Sequence, residues 1–205
     1  GSSFSEEGIF DLTKIGNIGN LGSNDLVVLV GGNVNIEQAI EKLENENIER
    51  SPSCWSVAND FVEEGKNTWY VGTSNLNPLQ KNAYNLGLAL ERIKTLSGAG
   101  SPQISVLAHS KGGLEMRMMM DGKGSPNSNP EDFTLNPFNP FTNVTIGNSL
   151  HAVVFLGTPH NEGVTSGYTT GYETGTIAPG SFVSSQINKT AIKNFAIWAR
   201  RERIE

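Results

Sequence analysis

Residues 103–124 read Gln103-Ile104-Ser105-Val106-Leu107-Ala108-His109-Ser110-Lys111-Gly112-Gly113-Leu114-Glu115-Met116-Arg117-Met118-Met119-Met120-Asp121-Gly122-Lys123-Gly124. A short apolar run passes through one serine into a Gly-Gly step and then into a Met-rich pattern, the succession expected of a strand, a sharp turn and a helix. A serine driven toward positive φ at such a turn tolerates only small neighbours two residues to either side, and Ala108 and Gly112 occupy those places. The turn would lift the Ser110 hydroxyl above the sheet and aim the next backbone N–H, that of Lys111, at the same point as the helix N-terminus.

Upstream, Leu26-Val27-Val28-Leu29-Val30 is a continuous aliphatic run ending in Gly31-Gly32-Asn33, the pattern of a central parallel strand buried on both faces. An acidic amphipathic helix is expected over 36–47. Another should start at Ser51-Pro52-Ser53, bury Trp55, Val57, Ala58, Phe61 and Val62, and stop at Gly65. Thr68-Trp69-Tyr70-Val71-Gly72 is the next strand. Leu79, Ala83, Leu86, Leu90, Ile93 and Leu96 then recur at steps of three and four, one apolar stripe of a long helix. Downstream, His151-Ala152-Val153-Val154-Phe155-Leu156-Gly157-Thr158-Pro159-His160 is a further buried strand ending in Thr-Pro-His. Strand, helix, strand, helix, strand, helix implies a parallel sheet built by right-handed crossovers, with strands at about 26–30, 68–72, 103–108 and 152–157. The opening residues 4–24 read as loop or short edge strands and carry no chemistry.

Small-x-Ser-x-Gly between a strand and a helix is the pattern of a nucleophile elbow. Taken together, Ala108-His109-Ser110-Lys111-Gly112-Gly113-Leu114 and Leu156-Gly157-Thr158-Pro159-His160 resemble the lipase-like branch of the α/β-hydrolase superfamily over roughly 26–163. The resemblance implies a three-layer α/β/α sandwich with a mostly parallel sheet. It also implies hydrolysis of a carboxylic ester, a small molecule or a lipid, through an acyl-enzyme on Ser110. The oxyanion would be held by the N–H of Lys111 and that of Gly32 or Asn33, since the second donor of this fold lies after the strand at 26–30. Lipase-like hydrolases commonly carry His-Gly at that strand end, where this chain has Gly31-Gly32, and Ala108 stands where Gly is commoner. Gly-Gly equally serves as a plain turn.

The base is the open question. A serine hydroxyl needs a histidine, and the family order is Ser, acid, His, with the histidine after the last strand. The three histidines are His109, His151 and His160. His109 precedes the serine and should point into the fold, and His151 opens a strand. His160 resembles a structural position of lipases, although the strand before it should end near Ser110. Three arrangements stay open: further polypeptide C-terminal to this chain supplies acid and histidine, His160 substitutes as base, or the scaffold binds without catalysing. Lys111 as a Ser-Lys partner ranks below these, because adjacent side chains diverge across such a turn. Glu162 and Glu173 follow the strand at 151–157 and are candidate acids, though each reads first as a solvated loop charge.

One domain over 1–205 is expected, which is short for a complete α/β hydrolase. A Pro-, Asn- and Gly-rich insert without regular structure should span 121–150, its Phe133, Phe138 and Phe141 either sheltering an apolar substrate or pinning the loop. A final amphipathic helix over 181–205 is expected from Ile187, Ala191, Phe195 and Trp198. Net charge is −6 with no basic block, which argues against nucleic acid. No run approaches the ~18 apolar residues of a membrane span. Cys54 is the single cysteine, so no disulfide closes within one chain, and it reads as packing. No metal-ligand spacing is visible, and no cofactor is implied. Scarce lysine among abundant Asn, Ser, Thr and Gly leans toward a secreted or envelope protein, and Gly1-Ser2-Ser3 reads as a tag remnant or the start of a processed chain.

Overall fold

In the computed structural model, residues 2–4, 9–16, 21–31, 56–74, 77–128, 134–135, 148–158 and 197–198 are described. The central strands are where continuous apolar sequence has no polar side to offer water: β3 (Asp25–Val30), β4 (Asn67–Gly72), β5 (Gln103–His109) and β8 (Leu150–Leu156). Their neighbours are β1 (Ser2–Ser3), β2 (Asp11–Lys14) and β9 (Ile197–Trp198), giving a seven-stranded sheet of order β1-β2-β4-β3-β5-β8-β9. Pairing is parallel from β4 to β9, while β1 and β2 add antiparallel edge strands. The chain is thus an α/β protein with a mostly parallel sheet, as its sequence implies.

Among the described residues, three helices connect these strands: α1 (Ser56–Glu63), α2 (Leu79–Leu96) and α3 (Lys111–Met120). The chain moves one way across the sheet from β3 to β4 and the other way from β4 to β5 and β8. Right-handed crossovers then put the intervening helices on opposite faces. The core divides accordingly. Val28, Trp69, Ile104 and Val106 pack with α2 and α3, whereas Val27, Leu29 and Tyr70 pack with Ala58, Phe61 and Val62 of α1.

Leu79, Ala83, Leu86, Leu90 and Ile93 of α2 are all buried, and Leu96 is partly so. Burying each Leu or Ile stabilises by about 1.5–3 kcal/mol, more than enough to hold a helix whose N-terminal Pro78 makes no capping bond. α1 ends as its glycine predicts: Gly65, at φ 78°, sends its N–H to Val62 O (3.0 Å), and Lys66 bonds Phe61 O (2.9 Å).

Two expectations change. The 121–150 insert is not wholly irregular: β6 (Lys123–Gly124) pairs antiparallel with β7 (Thr134–Leu135), and Ser125 N–H bonds Gln80 O at 3.1 Å, fastening the segment to α2. At the C-terminal side, Ile197–Trp198 is not helical but a parallel strand, Phe155 facing Ile197 and Leu156 facing Trp198. The free edge of β8 offers backbone donors and acceptors that outweigh a short stretch of helical periodicity. The rest of the 181–205 helix, the 36–47 helix, Cys54, Trp55, Phe133, Phe138 and Phe141 lie outside the described residues.

Lys14 is 1 % exposed on β2, its ammonium donating to Ile15 O at 2.6 Å, and burial pushes its pKa from 10.5 down to about 8. Below pH 8 the folded and unfolded chains both carry the proton, and the desolvation penalty is fully present. Between pH 8 and 10.5 only the unfolded chain keeps it, so this penalty fades as pH rises. Lys14→Met should therefore be more stable than the wild type by about 2 kcal/mol at pH 7, after roughly 1 kcal/mol is deducted for the bond to Ile15. Urea titrations at pH 7 and pH 10 should show that advantage vanish or reverse; a pH-independent difference would contradict this account.

Candidate active site

The adjacent strands β3 and β5 send their following segments in opposite directions, toward β4 and toward β8. Such a switch point leaves a crevice at the carboxyl ends of the strands, where ligands bind in open α/β sheets. Gly31 and Ser110 are the residues that leave β3 and β5 there.

Ser110 has φ 52° and ψ −121° and is the described non-glycine residue with positive φ. Holding it there costs on the order of 1–3 kcal/mol and needs surroundings that fix the turn. They are visible. Ser110 N–H bonds Leu156 O at 2.8 Å, extending the β5–β8 ladder, and Ser110 O accepts the Gly113 N–H at 3.1 Å. A serine before a helix ordinarily caps it, its hydroxyl accepting a first-turn N–H. Ser110 makes no such side-chain bond, so its hydroxyl is not committed to α3.

The two glycines that follow are required by contact. A Cβ on Gly112 would collide with the Gly31 carbonyl oxygen and stand 2.8 Å from Val30 Cγ1; one on Gly113 would collide with the Thr158 hydroxyl. Gly31 is constrained from its other side, where a Cβ would run into the Tyr70 hydroxyl. The exit of β3 is therefore threaded between Tyr70 and the first turn of α3, and the Thr158 of Thr-Pro-His rests on the same turn.

Lys111 and Glu115 are 3 % and 0 % exposed, yet both are charged residues of α3. The Lys111 ammonium lies 3.3 Å from Glu115 Oε1 and donates to Thr73 O (3.3 Å) and Thr73 Oγ1 (3.2 Å). The Thr73 hydroxyl in turn lies 2.7 and 2.8 Å from the two Glu115 carboxylate oxygens. The Lys111 side chain is thus engaged with Glu115 and Thr73. Sequence reading missed Thr73 and Glu115. The Lys111/Glu115 spacing of four was the available sign, but Thr73 arrives from the end of β4 and had none.

The histidines are placed as follows. His109 falls on the strand face occupied by Leu107, opposite the face that holds Val106, Ala108 and α3. Burial lowers its pKa, and its buried Nδ1 makes no hydrogen bond. His151 is the unpaired residue where the register shifts, Ile104 facing Leu150 and Ser105 facing Ala152. It is exposed at the start of β8, some five residues or about 17 Å along the strand from the Ser110 end. Gly32, Asn33, His160, Glu162 and Glu173 lie outside the described residues. Among the described residues no group of three or more His, Cys, Asp or Glu could hold a metal ion, and no helix is long and apolar enough to cross a membrane.

No protein family and no curated protein matches the chain. Solved structures do. A lipase B from Aspergillus fumigatus is similar at a TM-score of 0.55 and 11 % identity, over 87 % of this chain and 37 % of the lipase. The mature form of a Bacillus licheniformis lipase is similar at 0.51 and 12 % identity, over 88 % and 64 % of the respective chains. The chain spans between about a third and two thirds of the length of these proteins. With strand order, helix faces and these likenesses in agreement, the chain has an α/β-hydrolase-like fold.

Proposed function

We propose that the chain is a serine hydrolase of carboxylic esters, of lipase or esterase type, forming one domain. The observation that carries this reading is Ser110 itself: a non-glycine residue strained into positive φ at the switch point of a parallel sheet, heading a helix its hydroxyl does not cap. Strain of this kind is retained where a side chain must be presented. The solved structures that share the fold include proteins described as lipases, which is consistent with an ester substrate.

Ser110 Oγ attacks the ester carbonyl carbon while a base takes its proton. The oxyanion is held by the Lys111 N–H and by that of Gly32 or Asn33, which directly follow Gly31. The alcohol departs with the proton, leaving the acyl group on Ser110, and water hydrolyses the acyl-enzyme by the same steps. His160 is the candidate base within this chain, two residues after Thr158 in sequence. The alternative source is a histidine on polypeptide C-terminal to Glu205.

A second reading, a binding scaffold without catalysis, is favoured by one observation: neither His109 nor His151 is placed to serve Ser110. A fluorophosphonate probe and p-nitrophenyl butyrate separate the two. Covalent labelling and turnover that are lost in Ser110→Ala are expected of the hydrolase, and loss in His160→Ala as well would assign the base. Absence of labelling both in this chain and in a longer one extending past Glu205 would leave the scaffold.

A further inference from the structure

The Lys111–Glu115–Thr73 cluster is an energetically awkward thing to find beneath a turn. Both charges have left water, and such a pair commonly stabilises a fold no better than apolar side chains of the same volume. Its geometry is nonetheless fully matched: the ammonium donates to the Thr73 hydroxyl and carbonyl, the hydroxyl donates its one proton to Glu115, and Glu115 closes the circuit back to Lys111. The circuit joins the first residue past β4 to the first two turns of α3.

Resting on the hydrolase reading, we propose that Thr73 and Glu115 are positioning residues that act through Lys111, clamping the Ser110–Lys111 peptide so that its N–H stays aimed at the oxyanion. Lys111 is tied at both ends, with its backbone following Ser110 in the strained turn and its side chain tethered to Thr73 and Glu115. The Gly113 N–H bond to Ser110 O, at 3.1 Å, lies inside the clamped segment and reports on it. A clamp of this kind matters little for substrate binding. It matters for the barrier, because an oxyanion donor displaced by about 1 Å can cost on the order of a hundredfold in rate.

Three variants test it: Thr73→Val, which keeps the volume and removes the hydroxyl; Thr73→Ser, which restores it; and the apolar double variant Lys111→Met/Glu115→Leu. Thr73→Val and the double variant should lower kcat and the fluorophosphonate labelling rate about 10- to 100-fold with KM within twofold of wild type. Thr73→Ser should recover most of the rate. In the same two variants the Gly113 amide should exchange with deuterium at least tenfold faster than in wild type, while the Leu90 amide of α2 is unaffected. Unchanged Gly113 exchange overturns the proposal, as does faster exchange with wild-type kcat. If the wild type hydrolyses and labels nothing, yet Gly113 exchange accelerates as expected, the clamp stands and the hydrolase reading falls.

Discussion

Gly112→Ala is expected to lose at least about 2 kcal/mol of stability, seen as a fall in Tm of roughly 4–8 °C for a chain of this size. An alanine in a helix would by propensity alone gain close to 1 kcal/mol over glycine. That gain is outweighed because the new methyl group meets main chain: the Gly31 carbonyl oxygen, and Val30 O at 3.0 Å. A side chain could rotate aside, whereas a carbonyl at the end of a central strand takes β3 with it. Two comparisons isolate the cause. Gly65→Ala has open space around it but sits at φ 78°, so it should lose only about 1 kcal/mol from backbone strain. Gly100→Ala, with open space and no positive φ, should be near neutral. Thermal melts that rank Gly112→Ala with Gly100→Ala would mean that α3 does not approach β3 as described.

Glu115→Ala should lose about 3 kcal/mol or more, or some 6–12 °C in Tm, because it takes away the carboxylate that faces the buried Lys111 ammonium. Lys111→Met should lose a comparable amount by leaving the carboxylate uncompensated. The double replacement Lys111→Met/Glu115→Leu should recover most of the loss, since neither charge then needs to be desolvated. The coupling is read from a double-mutant cycle. Additive losses in the double variant would show that the two charges act on stability independently.

Much of the architecture was legible because parallel strands buried on both faces leave an unambiguous trace. Leu26–Val30 and Thr68–Gly72 have no polar alternation, and α2 carries its stripe at the helical period. Ser110 was legible for a local steric reason: small residues on both sides are what a positive-φ serine needs. What stayed hidden depends on partners distant in sequence. Ile197 and Trp198 look helical until the open edge of β8, far upstream, claims them. Glu115 went unnoticed, because four-residue spacing from Lys111 is common on helix surfaces and only the burial of α3 makes an interior circuit of the two. Thr73 is an unremarked loop residue whose role is set wholly by where β4 ends. Likewise β6 and β7 are too short to leave a periodicity, and their pairing rests on the docking of Ser125 to α2.

The strand order also has a consequence for how the polypeptide is made. The register partners of β3 on either side are β4 and, much later in the chain, β5, where Asp25 faces Gln103. At ribosomal speeds of roughly 5–20 residues per second, one flank of β3 waits on the order of ten seconds for its neighbour. The Ser110 turn is completed later still, since its N–H partner is Leu156. The nascent chain thus carries an adhesive, uncompleted ribbon until β5 is made, and the bend that presents Ser110 sets only after Leu156 has followed.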